Sequence, residues 1–176
     1  MTPDFRFVEL DKALHDRNSF DCGVEELNTF LHKFSVRHRE AGISLTMVLP
    51  TQESTAEICA FYTLSHTEIE RQTLPQSMAK RLPRYPVPVL LLAQLAVHKA
   101  AQGLGLGKIA LIRALHHCHE INTHLPSFAV VVDVLDDEVQ HFYTQYGFQV
   151  LDTDNGRVRL FLPMKAVGQL FQSEQI

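Results

Sequence analysis

The sequence has no tryptophan and only three cysteines among its 176 residues. Cys22, Cys59 and Cys118 cannot all pair within one chain, and neither a C-x-x-C pair nor a zinc-finger spacing is present, so they are read as free thiols. Long apolar runs are missing as well. The longest, Val87 to Val97, is broken by Pro88 and Gln94 and falls well short of the roughly 20 residues that cross a bilayer, so no membrane association is expected. Met1 to Glu9 sets Asp4 beside Arg6 with no basic flank leading into an apolar stretch; no secretory leader is expected, and the cytoplasm is the default compartment. No repeat, low-complexity tract or Ser/Gly linker divides the chain. With 45% apolar and 20% charged residues, it reads as one domain, 1–176, with its own core.

Acidic residues are absent from one stretch altogether. From Arg71 to His119 there is neither Asp nor Glu, yet Arg71, Lys80, Arg81, Arg84, Lys99, Lys108 and Arg113 lie there. The net charge of -4 therefore hides a basic centre in an acidic remainder. Such a centre suits a polyanionic ligand; the competing reading is a buried strand flanked by solvated bases.

Hydrophobic periodicity predicts the elements in the order β, α, β, β, β, α, β, α, β, β, a mixed α/β sheet. Phe5 to Leu10 reads as a first strand. Val24 to Arg39 carries a helical stripe at Val24, Leu27, Phe30, Leu31 and Phe34, less regularly Val36, with Asp21 as candidate N-cap and Gly42 beyond its end. Ile43 to Leu49 and Ile58 to Ser65 read as a hairpin. Arg71 to Tyr85 reads as irregular or briefly helical, because Pro86 and Pro88 bar a regular helix. Val89 to Val97 is a strand apolar enough to be covered on both faces. A helix from Ile109 to about Ile121 and a strand from Phe128 to Val134 follow. Asp136 to Tyr146 makes a helix with acids in its first turn, and Gly147 ends it. Strands at Phe148 to Leu151 and Val158 to Leu162 flank a turn from Asp152 to Gly156.

The informative run is Gln102-Gly103-Leu104-Gly105-Leu106-Gly107, between a buried strand and a helix. Alternating glycines let the backbone approach a ligand and turn successive N–H groups toward one concavity at a helix N-terminus, where anions are favoured. The G-x-G-x-x-G spacing of a dinucleotide fold is missing, and Lys108 is followed by Ile109, which excludes a P-loop.

Gln102, Gly105 and Gly107 satisfy Q/R-x-x-G-x-G/A, the acetyl-CoA signature of the GNAT N-acetyltransferase family. With Leu95-Ala96-Val97 before it and Phe142-Tyr143-x-x-Tyr146-Gly147-Phe148 after it, Val89 to Phe161 resembles that family. The resemblance implies a mostly antiparallel sheet splayed at the cofactor strand and flanked by helices. Phe20-Asp21-Cys22-Gly23, Leu27-Asn28, Phe30-Leu31 and Pro86-Val87-Pro88 narrow it to the acetyltransferase toxins of bacterial type II toxin-antitoxin pairs, which acetylate the amino acid on charged tRNA. Acetyl-CoA as co-substrate, charged tRNA, a ribbon-helix-helix antitoxin and a homodimer are the implied partners.

An amine attacking a thioester must be neutral, the oxyanion needs a donor, and the departing thiolate needs a proton. By resemblance, the Val97 amide faces the thioester carbonyl, with Leu95 and Ala96 in the same cofactor strand. Amides of Gly103, Leu104, Gly105, Leu106, Gly107 and Lys108 hold the pyrophosphate, Gln102 and Phe142 complete the cofactor site, and Tyr143 is the general acid. Tyr146 is read as a packing residue. An α-amino group titrates near 7.7–8.0, so a useful neutral fraction exists without a dedicated base, which favours α-amines over lysine Nε. Glu68, Glu70 and Asp133 are the candidates if a base is needed. Arg71, Lys80, Arg81 and Arg84 are candidates for tRNA or the CoA 3′-phosphate. His116 and His119 share a helix face but lack a carboxylate or cysteine pair, so no metal is expected. A small-molecule amine or protein N-terminus as acceptor, and a CoA-binding module without catalysis, are the alternatives.

Overall fold

The computed structural model describes residues 1–154 and 156–172. Its strands are β1 (Val8–Glu9), β2 (Ser44–Pro50), β3 (Ile58–Ile69), β4 (Val87–Val97), β5 (Ala129–Val134), β6 (Gln149–Asp154) and β7 (Arg157–Pro163). Its helices are α1 (Glu25–Thr29), α2 (Ser35–Glu40), α3 (Gln76–Ala79), α4 (Leu106–His124), α5 (Asp137–Thr144) and α6 (Met164–Gln172), which flank the strands. The strands follow the hydrogen-bonded order β1-β2-β3-β4-β5-β7-β6. All described pairings are antiparallel except β4 with β5, which is parallel through Leu90↔Val130 and Leu91↔Val131; β4 continues beyond them to Val97. This is the mixed α/β sheet read from the sequence. Two compact units are distinguished, 1–65 with 92–114, and 66–91 with 115–176.

In the first unit β2 and β3 pair from Ser44↔Ser65 to Pro50↔Ile58, with an irregularity at Leu49/Pro50. Thr46 and Thr63 face each other in that register and share a buried hydroxyl–hydroxyl bond of 2.9 Å. Phe20, Phe30, Leu31, Val48, Ile58, Phe61 and Ala96 form its core, with Phe20 edge-on to Phe61 at 5.3 Å. Each fully buried large side chain contributes about 1.5–3 kcal/mol of transfer free energy.

The helix expected over Val24–Arg39 is interrupted. Phe30–Phe34 forms a π-helical turn between α1 and α2. The extra residue in that turn rotates the following residues, which accounts for the irregular place of Val36 in the stripe and leaves Phe34 exposed. Asp21 does not cap it; Val24 is the N-cap, without a side-chain bond. The first strand is shorter than expected, Val8–Glu9; the chain bends at Phe5, a residue 80% exposed.

In the second unit β5 pairs β7 from Ala129↔Pro163 to Val134↔Val158, and β7 pairs β6. Ile69, Leu74, Val87, Val89, Ala129, Val131 and Phe161 make its core. Asp136 caps α5, its Oδ1 accepting from Glu138 N at 2.7 Å and Val139 N at 3.4 Å, which satisfies two otherwise unpaired amides. The expected turn Asp152–Gly156 includes Asn155, outside the described residues. α6 was not anticipated: Met164 and Val167 bury one face, and Phe171 packs on His119 and edge-on to His116. Among the described residues no helix is long and apolar enough to cross a membrane.

Candidate active site

β4 ends in Leu95, Ala96 and Val97. Ala96 is buried in the first unit's core, while Leu95 and Val97 are half-buried. A short helical turn, Lys99–Ala101, leads from there to the glycine run. Its cap is His98, whose Nδ1 accepts from Ala100 N at 3.0 Å. The peptide joining Val97 to His98 is bonded at both ends. His98 N donates to the Cys59 carbonyl at 2.7 Å, and Gln102 Nε2 donates to the Val97 carbonyl at 2.9 Å.

Gly103 and Gly105 adopt φ of 81° and 78°, values that other residues reach only at a cost. No atom lies within 4 Å of where a Cβ would stand on either. That open face, next to a helix beginning at Leu106, leaves the loop backbone accessible to a ligand. The first amides of α4 have no intrahelical acceptor, and the helix dipole adds partial positive charge. Gly107 lies inside the first turn of α4 and does not need a positive φ. The loop has one apolar anchor: Leu104 is 62% exposed, whereas Leu106 is buried against Leu49, Cys59, Ala60 and Ala101. Lys108 is exposed at the start of the helix. The residues predicted to hold acetyl-CoA in the first unit thus form one continuous segment.

Phe142 and Tyr143 belong to the second unit. Tyr143 is buried in α5, its ring 5.1 Å from Phe142 and 5.4 Å from Phe148. Phe142 also meets Tyr146 at 5.4 Å, the packing role expected for Tyr146. Burial pushes the Tyr143 phenol well above its ordinary range; removing water penalises the phenolate, so the hydroxyl stays protonated through the physiological range.

The basic candidates divide. Arg71 Nε donates to the Ala79 carbonyl at 2.6 Å and so closes its own loop around α3. Lys80, Arg81 and Arg84 are exposed, as is Tyr85. Of the candidate bases, Asp133 has both carboxylate oxygens occupied by Arg159, at 2.6 and 2.8 Å. Cys22 is buried, and burial raises its thiol pKa, so it offers no thiolate. Sequence reasoning counted Lys99 among the central bases and Asn28 in a family motif but missed their partner: both are bonded to the Asp21 carboxylate. Their partners are distant in sequence, and no local window shows them.

A strand that ends in a loop of open-faced, positive-φ glycines at a helix start is the arrangement of an acyl-CoA acyltransferase. The chain belongs to the GNAT acetyltransferase family, whose model matches residues 76–148. It is 31% identical over 150 residues to a protein named tRNA-acetylating toxin from Mycobacterium tuberculosis (strain ATCC 25618 / H37Rv), covering 85% of this chain and 87% of that one. It superposes on a structure of AtaT complexed with acetyl-methionyl-tRNAfMet with a TM-score of 0.86, at 29% identity, over 96% of this chain and 100% of that one. A crystal structure of AtaTR bound with acetyl-CoA gives a TM-score of 0.80 at 27% identity, over 95% and 98% of the two chains.

Proposed function

We propose that this protein transfers the acetyl group of acetyl-CoA to the α-amino group of an aminoacyl-tRNA, as the toxin of a toxin-antitoxin pair. The observation that carries this reading is the Gly103–Lys108 loop, with two positive-φ glycines whose open faces border the start of α4. A tRNA-acetylating relative spanning most of the chain supports the acceptor.

In this reading the loop amides fix the pyrophosphate, and the Val97 N–H donates to the thioester oxygen as the carbonyl carbon becomes tetrahedral. The neutral α-amine forms the new C–N bond, the C–S bond breaks, and the sulfur takes a proton from the Tyr143 hydroxyl. In water, proton transfer from a phenol near 10 to a thiolate near 8.5 is uphill by about 2 kcal/mol. Burial raises the phenol further. The same loss of water disfavours a free thiolate, so Tyr143 donates as the C–S bond breaks rather than afterwards. The proton lost by the amine leaves through water, since the α-amino group needs no strong base. Exposed Lys80, Arg81 and Arg84 supply positive charge for an RNA backbone.

The remaining partners follow from this role: a small ribbon-helix-helix antitoxin that covers the basic surface, a second copy of the chain, and action in the cytoplasm. Incubation with acetyl-CoA and charged tRNA should yield acetyl-aminoacyl-tRNA by mass spectrometry. Turnover of a small amine or a protein N-terminus without acetylated tRNA would replace the acceptor. Acetyl-CoA binding with no turnover of any amine would reduce the protein to a binding module.

A further inference from the structure

In the second unit the segment between β3 and β4 is built as a platform. Leu74, Met78, Ala79 and Leu82 pack inward against Ile69, Val87, Val89 and Phe161, and Arg71 Nε donates to the Ala79 carbonyl at 2.6 Å. The amides of Met78, Ala79, Lys80, Arg81 and Leu82 each donate to a carbonyl three or four residues back, at 2.9 to 3.2 Å. What faces outward is of another kind. Lys80, Arg81 and Arg84 are exposed, and so is Tyr85, at 66%. Among the described residues no ion pair engages these three cations, and no ring contact or side-chain hydrogen bond engages Tyr85. Pro83 and Pro86 bracket Arg84 and Tyr85. A proline fixes its own φ and restricts the residue before it, so the Tyr85 ring is offered on a stiff backbone with little ordering left to do on binding.

A lone exposed tyrosine needs no explanation. One set among three unengaged cations on an anchored loop does. Lysine and arginine attract any phosphate backbone and do not distinguish a duplex from a single strand by their charge. An aromatic face supplies that distinction, because the bases of a duplex are stacked on one another, whereas those of a single-stranded end are open to stack on a side chain. The aminoacyl group of a charged tRNA is carried on such an end. From this arrangement we infer that Tyr85 stacks on an unpaired base at the 3′ end of the acceptor RNA, with Lys80, Arg81 and Arg84 on the adjoining phosphates. The contact uses the face of the ring, so the hydroxyl is dispensable. It positions the α-amine by holding the strand that bears it. The inference rests on aminoacyl-tRNA being the acceptor.

Tyr85→Ala should raise KM for aminoacyl-tRNA about tenfold, while KM for acetyl-CoA and turnover of a small α-amine stay within about twofold. Tyr85→Phe and Tyr85→Trp should keep the parent KM; Tyr85→Leu, apolar but without a ring, should not. The slope of log K against log salt should hold in Tyr85→Ala, because no cation is removed. Binding of an uncharged hairpin RNA with a short unpaired 3′ segment, followed by fluorescence anisotropy, completes a cycle. One abasic site in that segment should weaken the unsubstituted protein about tenfold and leave Tyr85→Ala nearly unaffected. Unchanged KM and Kd in Tyr85→Ala, a loss of equal size on a blunt-ended hairpin, a Tyr85→Leu as good as the parent, or additive effects of Tyr85→Ala and every abasic site would each overturn the inference. If the unsubstituted protein binds the hairpin but acetylates no charged tRNA, the proposed function fails and the abasic cycle still decides the role of Tyr85. Neither binding nor acetylation would overturn both.

Discussion

Asp133 and Arg159 stand directly opposite in the β5–β7 register and are joined by two bonds, Nε to Oδ1 at 2.6 Å and Nη2 to Oδ2 at 2.8 Å. The pair is only partly exposed, at 30% and 26% for the two side chains, so it is worth more than a surface contact and less than a fully buried one. Arg159→Met should cost about 1–2 kcal/mol in urea unfolding. A carboxylate so occupied is poorly placed to take a proton from substrate. Asp133→Asn should therefore leave kcat/KM within about threefold once stability is allowed for; a loss of a hundredfold or more would make Asp133 the base.

Tyr143→Phe removes one hydroxyl and keeps the aromatic contacts with Phe142 and Phe148. kcat should fall about 10²-fold, in the range of general acid catalysis, with KM for acetyl-CoA and the melting temperature little changed. A comparable rise in KM with kcat held would mean that the ring packs and does no chemistry.

The exposed bases Lys80, Arg81 and Arg84 should act on RNA as charge. Replacing all three by Gln should weaken tRNA binding at low salt and reduce the slope of log K against log salt by about 2–3, while transfer to a small α-amine is retained. Arg71 is excluded from this set because its Nε is bonded to the Ala79 carbonyl; its loss should register as instability of the loop.

Burial lifts the Cys59 thiol to about 11 and the Cys118 thiol to about 12. The folded state thus retains protons that the unfolded chain releases from about pH 8.5 upward. Stability from this source is intact below that pH and is lost as pH climbs toward 11–12; Tyr143, also raised, adds to the loss above pH 10. Urea midpoints measured from pH 8 to 11 should decline, and Cys118→Ala should flatten the decline. Thiol reagents at pH 7.5 should label the three cysteines only slowly before unfolding, since all are buried.

Much of the site could be read from sequence, because its signals are local. The glycine run, the apolar strand before it and the acids opening α5 each lie within one short window, and each appears where expected. What was missed depends on distant partners. Asp21 looks like a helix cap until Lys99 and Asn28 are seen on its carboxylate. The π-helical turn at Phe30–Phe34 is invisible to a 3.6-residue period. α6 shows Met164, Val167 and Phe171 at helical spacing, but its face is defined only by burial and by His116 and His119.

The bond from Gln102 to Cys22 spans 80 positions of chain. Closing so long a loop carries an entropic penalty that local helices and hairpins do not bear, so this bond belongs with the slow contacts of folding. During synthesis the segment at Phe20–Gly23 emerges long before the residue that ties it down. The tie between that segment and residue 102 is therefore absent from short nascent chains and forms only after the glycine loop itself has been made.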